Sequence, residues 1–138
     1  YTNGIELQKG LEWADHSIGI VKNVTNTYTK AVILNALGKK DEASKLKEEA
    51  FTNALEADVN NLGYQFLGGG KIDDAIEVFK KNTELYPDSW NVWDSLAEGY
   101  MNKGEKQLAI ENYNKALNMA PEDQHARING ALSQLTAE

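Results

Sequence analysis

The stretch NNLGYQFLGGGKIDDAIEVFKKNTELYPDS, residues 60–89, is echoed at an offset of 34 by DSLAEGYMNKGEKQLAIENYNKALNMAPED, residues 94–123. Leu62 recurs as Leu96, Gly70 as Gly104, Ala75 as Ala109, Ile76 as Ile110, Phe79 as Tyr113, Lys81 as Lys115 and Pro87 as Pro121. Internal periods of this length belong to arrays of helical hairpins. One hairpin cannot bury both of its faces, so hairpins stack, and the stack presents a concave surface. The chain is therefore expected to be all-α, a solenoid of antiparallel helix pairs, with partner binding ahead of catalysis as its role.

Residue types explain the pairing. Trp93, Leu96, Ala97 and Tyr100 fall at i, i+3, i+4 and i+7, one face of a helix. Lys103-Gly104-Glu105 ends that helix, because glycine accepts the left-handed conformation common at helix ends, and so short a link folds the next helix back beside the first. Leu108, Ala109, Tyr113, Ala116 and Leu117 continue at helical spacing, the alanines admitting close approach and the large side chains filling the gaps. Pro121 lacks an amide hydrogen and disfavours helix at Ala120, so it closes the pair. Asp88 and Ser89 are the expected N-caps before Trp90.

The ordered set Trp93, Leu96, Ala97, Tyr100, Gly104, Ala109, Tyr113, Ala116 and Pro121 resembles the tetratricopeptide repeat family. The preceding unit is similar through Val59, Leu62, Gly63, Phe66, Gly70, Ala75, Phe79 and Pro87, with Asn82 in a slot the family fills with alanine. The resemblance implies a right-handed superhelix whose first helices line the concave side. Further upstream, Gly38 serves as a turn, Ala43 and Ala50 as small packing residues, and Ala31 and Leu34 belong to a first helix. That repeat is degenerate: Lys47 replaces the aromatic, Leu55 replaces the proline, and Phe51 and Leu46 are expected to supply the missing apolar volume. GLEWADHSI (10–18) overlays AIENYNKAL (109–117) as the second helix of a half repeat, and is also similar to C-terminal repeat segments of exported bacterial proteins. The expected organisation is one domain: half repeat 1–22, degenerate repeat 24–55, repeats 56–89 and 90–122, and a covering helix 123–136 that carries Ala126, Ile128, Ala131, Leu132 and Leu135.

With 138 residues, 41% hydrophobic and 25% charged, the chain has an ordinary globular composition. No run approaches the roughly twenty apolar residues that span a bilayer, and no leader-like segment opens the chain, which starts at Tyr1 as though inside a repeat. A net charge of −7 opposes polyanion binding, so nucleic acid is not an expected partner; neutral or basic proteins and peptides suit the surface better than acidic ones. The chain has no cysteine, which removes disulfides and thiol chemistry and leaves the compartment open.

On the first helices, the positions off the packing face are Thr25, Tyr28, Val32 and Asn35, then Asn60, Tyr64 and Leu67, then Asn91, Asp94, Glu98 and Met101, with His125 and Ile128 from the last helix. The resemblance makes these the groove. Amides can bond an extended backbone, Tyr28 or Tyr64 can cover an apolar side chain, and Asp94 with Glu98, spaced i and i+4, can attract a lysine or arginine. A plain solvated helix face is the competing interpretation. Relatives that grip a chaperone's C-terminal carboxylate use lysines, arginine and asparagines, whereas the matching places here hold Tyr28, Val32, Asn61, Asn91 and Ser95, of which only Asn61 conforms. An acidic chaperone tail is thus an unsuitable ligand.

Chemical readings fare worse. Gly68-Gly69-Gly70-Lys71 lacks the Gly at Gln65 and the Ser or Thr at Ile72 that a phosphate loop requires. His16 and His125 have no ligand-type companion at i+3 or i+4, so neither metal nor cofactor is expected. Asp73 and Asp74 suit a helix start. Trp13 is expected in the core or as a capping aromatic, and Trp90 as a partly exposed anchor at a repeat junction. Asn23-Val24-Thr25 is a glycosylation triplet. The leading expectation is a scaffold that binds a peptide or protein in its groove; the alternative is a structural segment that packs on another domain or self-associates through its N-terminal end.

Overall fold

The computed structural model describes the backbone of residues 2–137 and the side chains of residues 4–137. Among these residues there are eight helices and no strand: α1 (Thr2–Ile20), α2 (Val24–Ala36), α3 (Lys40–Ala50), α4 (Glu56–Gly68), α5 (Ile72–Leu85), α6 (Trp90–Lys103), α7 (Lys106–Met119) and α8 (Glu122–Thr136). None of them is long and apolar enough to cross a membrane. The fold is the expected all-α solenoid class, built of helix pairs joined by short turns.

Three turns share one hydrogen-bond pattern. Gly38, Gly70 and Gly104 have φ of 84°, 76° and 86°, the left-handed region that an L side chain rarely adopts. Their amides donate to Asn35, Leu67 and Met101, and the next residue's amide donates one position further back, to Leu34, Phe66 and Tyr100. The carbonyls of Lys39, Lys71 and Glu105 then accept from Ala43, Ala75 and Ala109, each at 3.0 Å, and open the following helix. The degenerate repeat therefore keeps the turn of the better repeats. Pro121 closes α7 as expected, with Ala120 held extended at ψ 147°.

The chain forms two compact units, Tyr1–Asp58 and Val59–Glu138. In the second, the core gathers Ala75, Ile76 and Phe79 of α5, Leu96, Ala97 and Tyr100 of α6, Ala109, Tyr113 and Ala116 of α7, and Ile128 and Leu135 of α8. Phe79 is wholly buried because two glycines make room for it. A Cβ at Gly63 would lie 2.2 Å from its ring, and one at Gly99 would lie 3.3 Å from it. The helix from Glu122 packs through Ile128 and Leu135 into this core, so that Ile128, assigned to the groove, is fully buried. Asn82 is also buried, at 1% exposure.

In the first unit, Ala14, Val24, Tyr28, Ala31, Leu34, Ala43, Ala50 and Phe51 are buried. Tyr28 meets Phe51 edge-on at 5.5 Å, and the Lys47 ammonium lies 5.4 Å from the Tyr28 ring centre. With Lys47 in place of the aromatic, Tyr28 and Phe51 supply the buried rings of this unit and the cation packs against Tyr28. The Asn23 side chain accepts from the Asn26 amide, and Asn26 returns the bond to the Asn23 amide, both at 2.9 Å, forming a capping box. Asn26 also donates to Ser17 Oγ at 3.0 Å and to the Val21 carbonyl at 2.7 Å, which ties the end of α1 to the start of α2. Trp13 is not in the core: it is 74% exposed, whereas the arc of α1 that meets α2 runs through Gly10, which approaches Ile33, and the buried Ala14.

Candidate partner-binding surface

Asn60 and Tyr64 stand one turn apart on α4; Asn91, Asp94, Glu98 and Met101 follow one another along α6. The two helices are cross-linked by three side chains expected in the groove, Asn60, Tyr64 and Glu98, together with Ser95. Ser95 Oγ donates to Asn60 Oδ1 at 2.6 Å. The Tyr64 hydroxyl donates to Glu98 Oε2 at 2.6 Å and lies 3.3 Å from Ser95 Oγ. Below the hydroxyl, the Tyr64 ring packs edge-on against Phe79 at 5.1 Å, so the polar network rests on the core.

A third helix joins through a residue the sequence reading missed. Arg127 of α8 donates from Nη2 to Asp94 Oδ2 at 3.0 Å. The Asp94 side chain is only 8% exposed, whereas that of Arg127 is 51% exposed. The other Asp94 oxygen is buried without a hydrogen bond. The signal for Arg127 was available: it is the chain's single arginine, 33 residues beyond Asp94 and so about one repeat further on.

Electrostatics around this network is acidic. Burial, then the Glu98 hydrogen bond, pushes the Tyr64 hydroxyl well above its ordinary range. Burial, followed by the charges of Asp94 and Glu98, pushes Tyr113 up to about 12. Both phenols stay protonated at neutral pH, and Tyr64 acts as a donor. Two carboxylates, Asp94 and Glu98, share this surface with one guanidinium. Asp94, expected to attract a lysine or arginine, is buried and already paired with Arg127, which leaves Glu98 as the partly exposed carboxylate beside the half-buried amides of Asn60 and Asn91.

The other expected groove positions divide. Leu67 and Met101 are half-buried against the core of the second unit, with Met101 sulfur 4.0 Å from the Tyr113 hydroxyl. His125 Nε2 is 2.9 Å from the Ala120 carbonyl, which engages the ring at the start of α8. In the first unit Val32 and Thr25 are half-buried and Asn35 is exposed. Tyr28 is the correction: at 0% exposure it is a core side chain and cannot cover a ligand. Ser95, one of the compared clamp positions, is buried and engaged with Asn60. Among the described residues, no group of three or more His, Asp or Glu side chains is placed to hold a metal.

Residues 91–123, which comprise α6, its turn, α7 and the start of α8, match the family model for the tetratricopeptide repeat. This segment is a tetratricopeptide repeat. It contributes Asn91, Asp94, Ser95, Glu98 and Met101 to the surface just described. The chain is similar to the peroxisomal targeting signal receptor of Candida albicans, at 31% identity over 81 residues, 58% of this chain and 14% of that receptor. It is also similar to the receptor of the same name from Candida glabrata, at 27% over 84 residues, 60% of this chain and again 14% of the receptor. The match thus spans about one seventh of each receptor's length. Among solved structures, MamA residues 41 to the end from Desulfovibrio magneticus RS-1 superposes with TM-score 0.56 and 16% identity, covering 98% of this chain and 75% of that one. MamA AMB-1 gives TM-score 0.56 and 18% identity, covering 99% of this chain and 81% of that one. At such identities the likeness is one of fold. Tetratricopeptide repeats are protein–protein interaction scaffolds, and the repeat supports that broad class here.

Proposed function

We propose that the chain is a non-catalytic scaffold that receives an extended protein segment across α4 and α6, and that it prefers neutral or basic segments to acidic ones. The supporting observation is the bonded cluster Asn60–Ser95–Tyr64–Glu98, which draws groove positions of two first helices into one polar surface. Asn60 and Asn91 supply amide groups for a peptide backbone, and the excess of carboxylate over guanidinium supplies attraction for lysine or arginine. That the matched Candida proteins are receptors for a targeting signal agrees with recognition of a protein segment. The acidic balance of the whole chain, −7, acts in the same direction at longer range.

Calorimetry with two glycine–serine peptides, one bearing lysines and one bearing glutamates in the same places, tests this. The lysine peptide is expected to bind saturably, the glutamate peptide not at all, and Glu98→Lys to weaken the lysine peptide by about tenfold. Equal heats from both peptides, or binding indifferent to Glu98→Lys, would contradict the proposal.

A further inference from the structure

Two ties cross between helices at the same register of the repeat, and they differ in kind. Asn60 of α4 is held by Ser95 of α6, a short side chain that is buried and fixed between Asn60 and the Tyr64 hydroxyl. Asp94, one repeat further on, is held by Arg127 of α8, a long side chain that is 51% exposed. The bond is single: Nη2 reaches Oδ2 at 3.0 Å, while Oδ1 is buried without a hydrogen bond. Arginine and carboxylate pair most strongly when two parallel N–H groups meet two oxygens, and this pair falls short of that. Its Nε donates instead to Gln124 Oε1 at 3.2 Å. A nearly buried carboxylate is thus left with one oxygen unused, and its counter-charge sits half in water.

The seat of α8 rests mainly on Ile128 and Leu135, which are buried in the core of the second unit, so Arg127 can swing into solvent while the helix stays packed. A swing with nothing in exchange strands a buried charge, which is costly. A swing coupled to the entry of another cation does not. The guanidinium is what covers Asp94, and the place it vacates is one turn from Glu98, the partly exposed carboxylate of the surface. A lysine ammonium is compact and turns three N–H donors to the acceptors around it, so it can serve both oxygens of Asp94 and remain beside Glu98. On the proposal of a partner segment across α4 and α6, we infer that Arg127 is a built-in competitor at Asp94, which a basic side chain of the partner displaces and replaces. Arg127 then determines selectivity: a segment without a cation gains nothing from the exchange, and a basic one binds more weakly by the cost of evicting the arginine.

The chain has a single arginine, so its Nε–H group gives one assignable NMR signal. Titrating the labelled chain with the lysine-bearing glycine–serine peptide is expected to carry that signal to the position of a solvated arginine while the amides of Asn60 and Glu98 shift. Calorimetry is expected to show Arg127→Gln binding the same peptide at least about fivefold more tightly than the unaltered chain, and Asp94→Asn combined with Arg127→Gln losing that gain. A residue that only fastens α8 gives the reverse, because a loosened helix weakens binding or leaves it unchanged. Shifts at Asn60 and Glu98 with the Arg127 signal unmoved would leave the binding surface standing and overturn the exchange. Peptide binding by Arg127→Gln that is no tighter would overturn it as well. No shift at any amide would overturn both the exchange and the surface on which it depends.

Discussion

Phe79 shows how single residues decide what this fold tolerates. Alanine normally gains about 1 kcal/mol over glycine within a helix. At Gly63 that gain is overwhelmed, because the new methyl would sit 2.2 Å from a ring that is itself completely buried. Gly63→Ala is expected to lower unfolding free energy by about 1–3 kcal/mol in urea titrations. Gly99→Ala meets Ile76 at 3.1 Å and the Phe79 ring at 3.3 Å, so strain and propensity nearly cancel and its midpoint should move far less. A shift at Gly99 as large as that at Gly63 would argue against the packing described. Tyr113 offers a second residue-level test. Its hydroxyl is pushed up to about 12 from an ordinary 10.0, first by burial. Between those two pH values the unfolded chain has released the phenolic proton and the native chain has kept it, so stability present below pH 10 drains away as pH rises towards 12. Tyr113→Phe is expected to flatten the fall of melting temperature across that range; an unchanged slope would place the alkaline sensitivity elsewhere.

Helices are linked here by apolar packing supplemented by a few directed bonds, and α8 shows both. Its apolar side chains Ile128 and Leu135 are buried, while Arg127 binds the nearly buried Asp94 of α6. Removing the guanidinium leaves a carboxylate with little water and no counter-charge, yet the arginine itself is half exposed, so the loss lies between surface and buried extremes. Arg127→Gln is expected to cost about 1–2 kcal/mol and to speed amide exchange in α8, with Asp94→Asn in the same chain restoring part of the loss. Exchange unaffected in α8 would mean that the ion pair does not anchor it. Element ends were the most legible part of the sequence, because Gly38, Gly70, Gly104 and Pro121 act through backbone geometry that needs no knowledge of neighbours. Positions governed by packing were less so. Tyr28 occupied a groove register but is buried in the core, where it packs edge-on against Phe51 with Lys47 over its ring. Trp13 was expected, from its type, in the core or as a capping aromatic, and the structure leaves it 74% exposed on α1. The capping box also went unread, although Asn at both ends of the Asn23–Asn26 spacing signalled it.

At the scale of the molecule, a repeated hairpin supplies a regular backbone, and the proposed function rests on side chains that the first helices leave off the packing face. Asn60, Tyr64, Asp94 and Glu98 were readable as candidates because the 34-residue period carries one hairpin's facing onto the next. Their mutual bonds, and the arrival of Arg127 from α8, depend on distances between helices that no periodicity specifies. The central claim is that this acidic, amide-bearing surface of α4 and α6 is where a partner segment lies. It is tested most directly by titrating the isotope-labelled chain with the lysine-bearing glycine–serine peptide and following each backbone amide by NMR. Saturable shifts concentrated at Asn60, Tyr64, Asn91, Asp94, Ser95, Glu98 and Arg127 are the predicted result; shifts confined to other residues, or none at all, would contradict it.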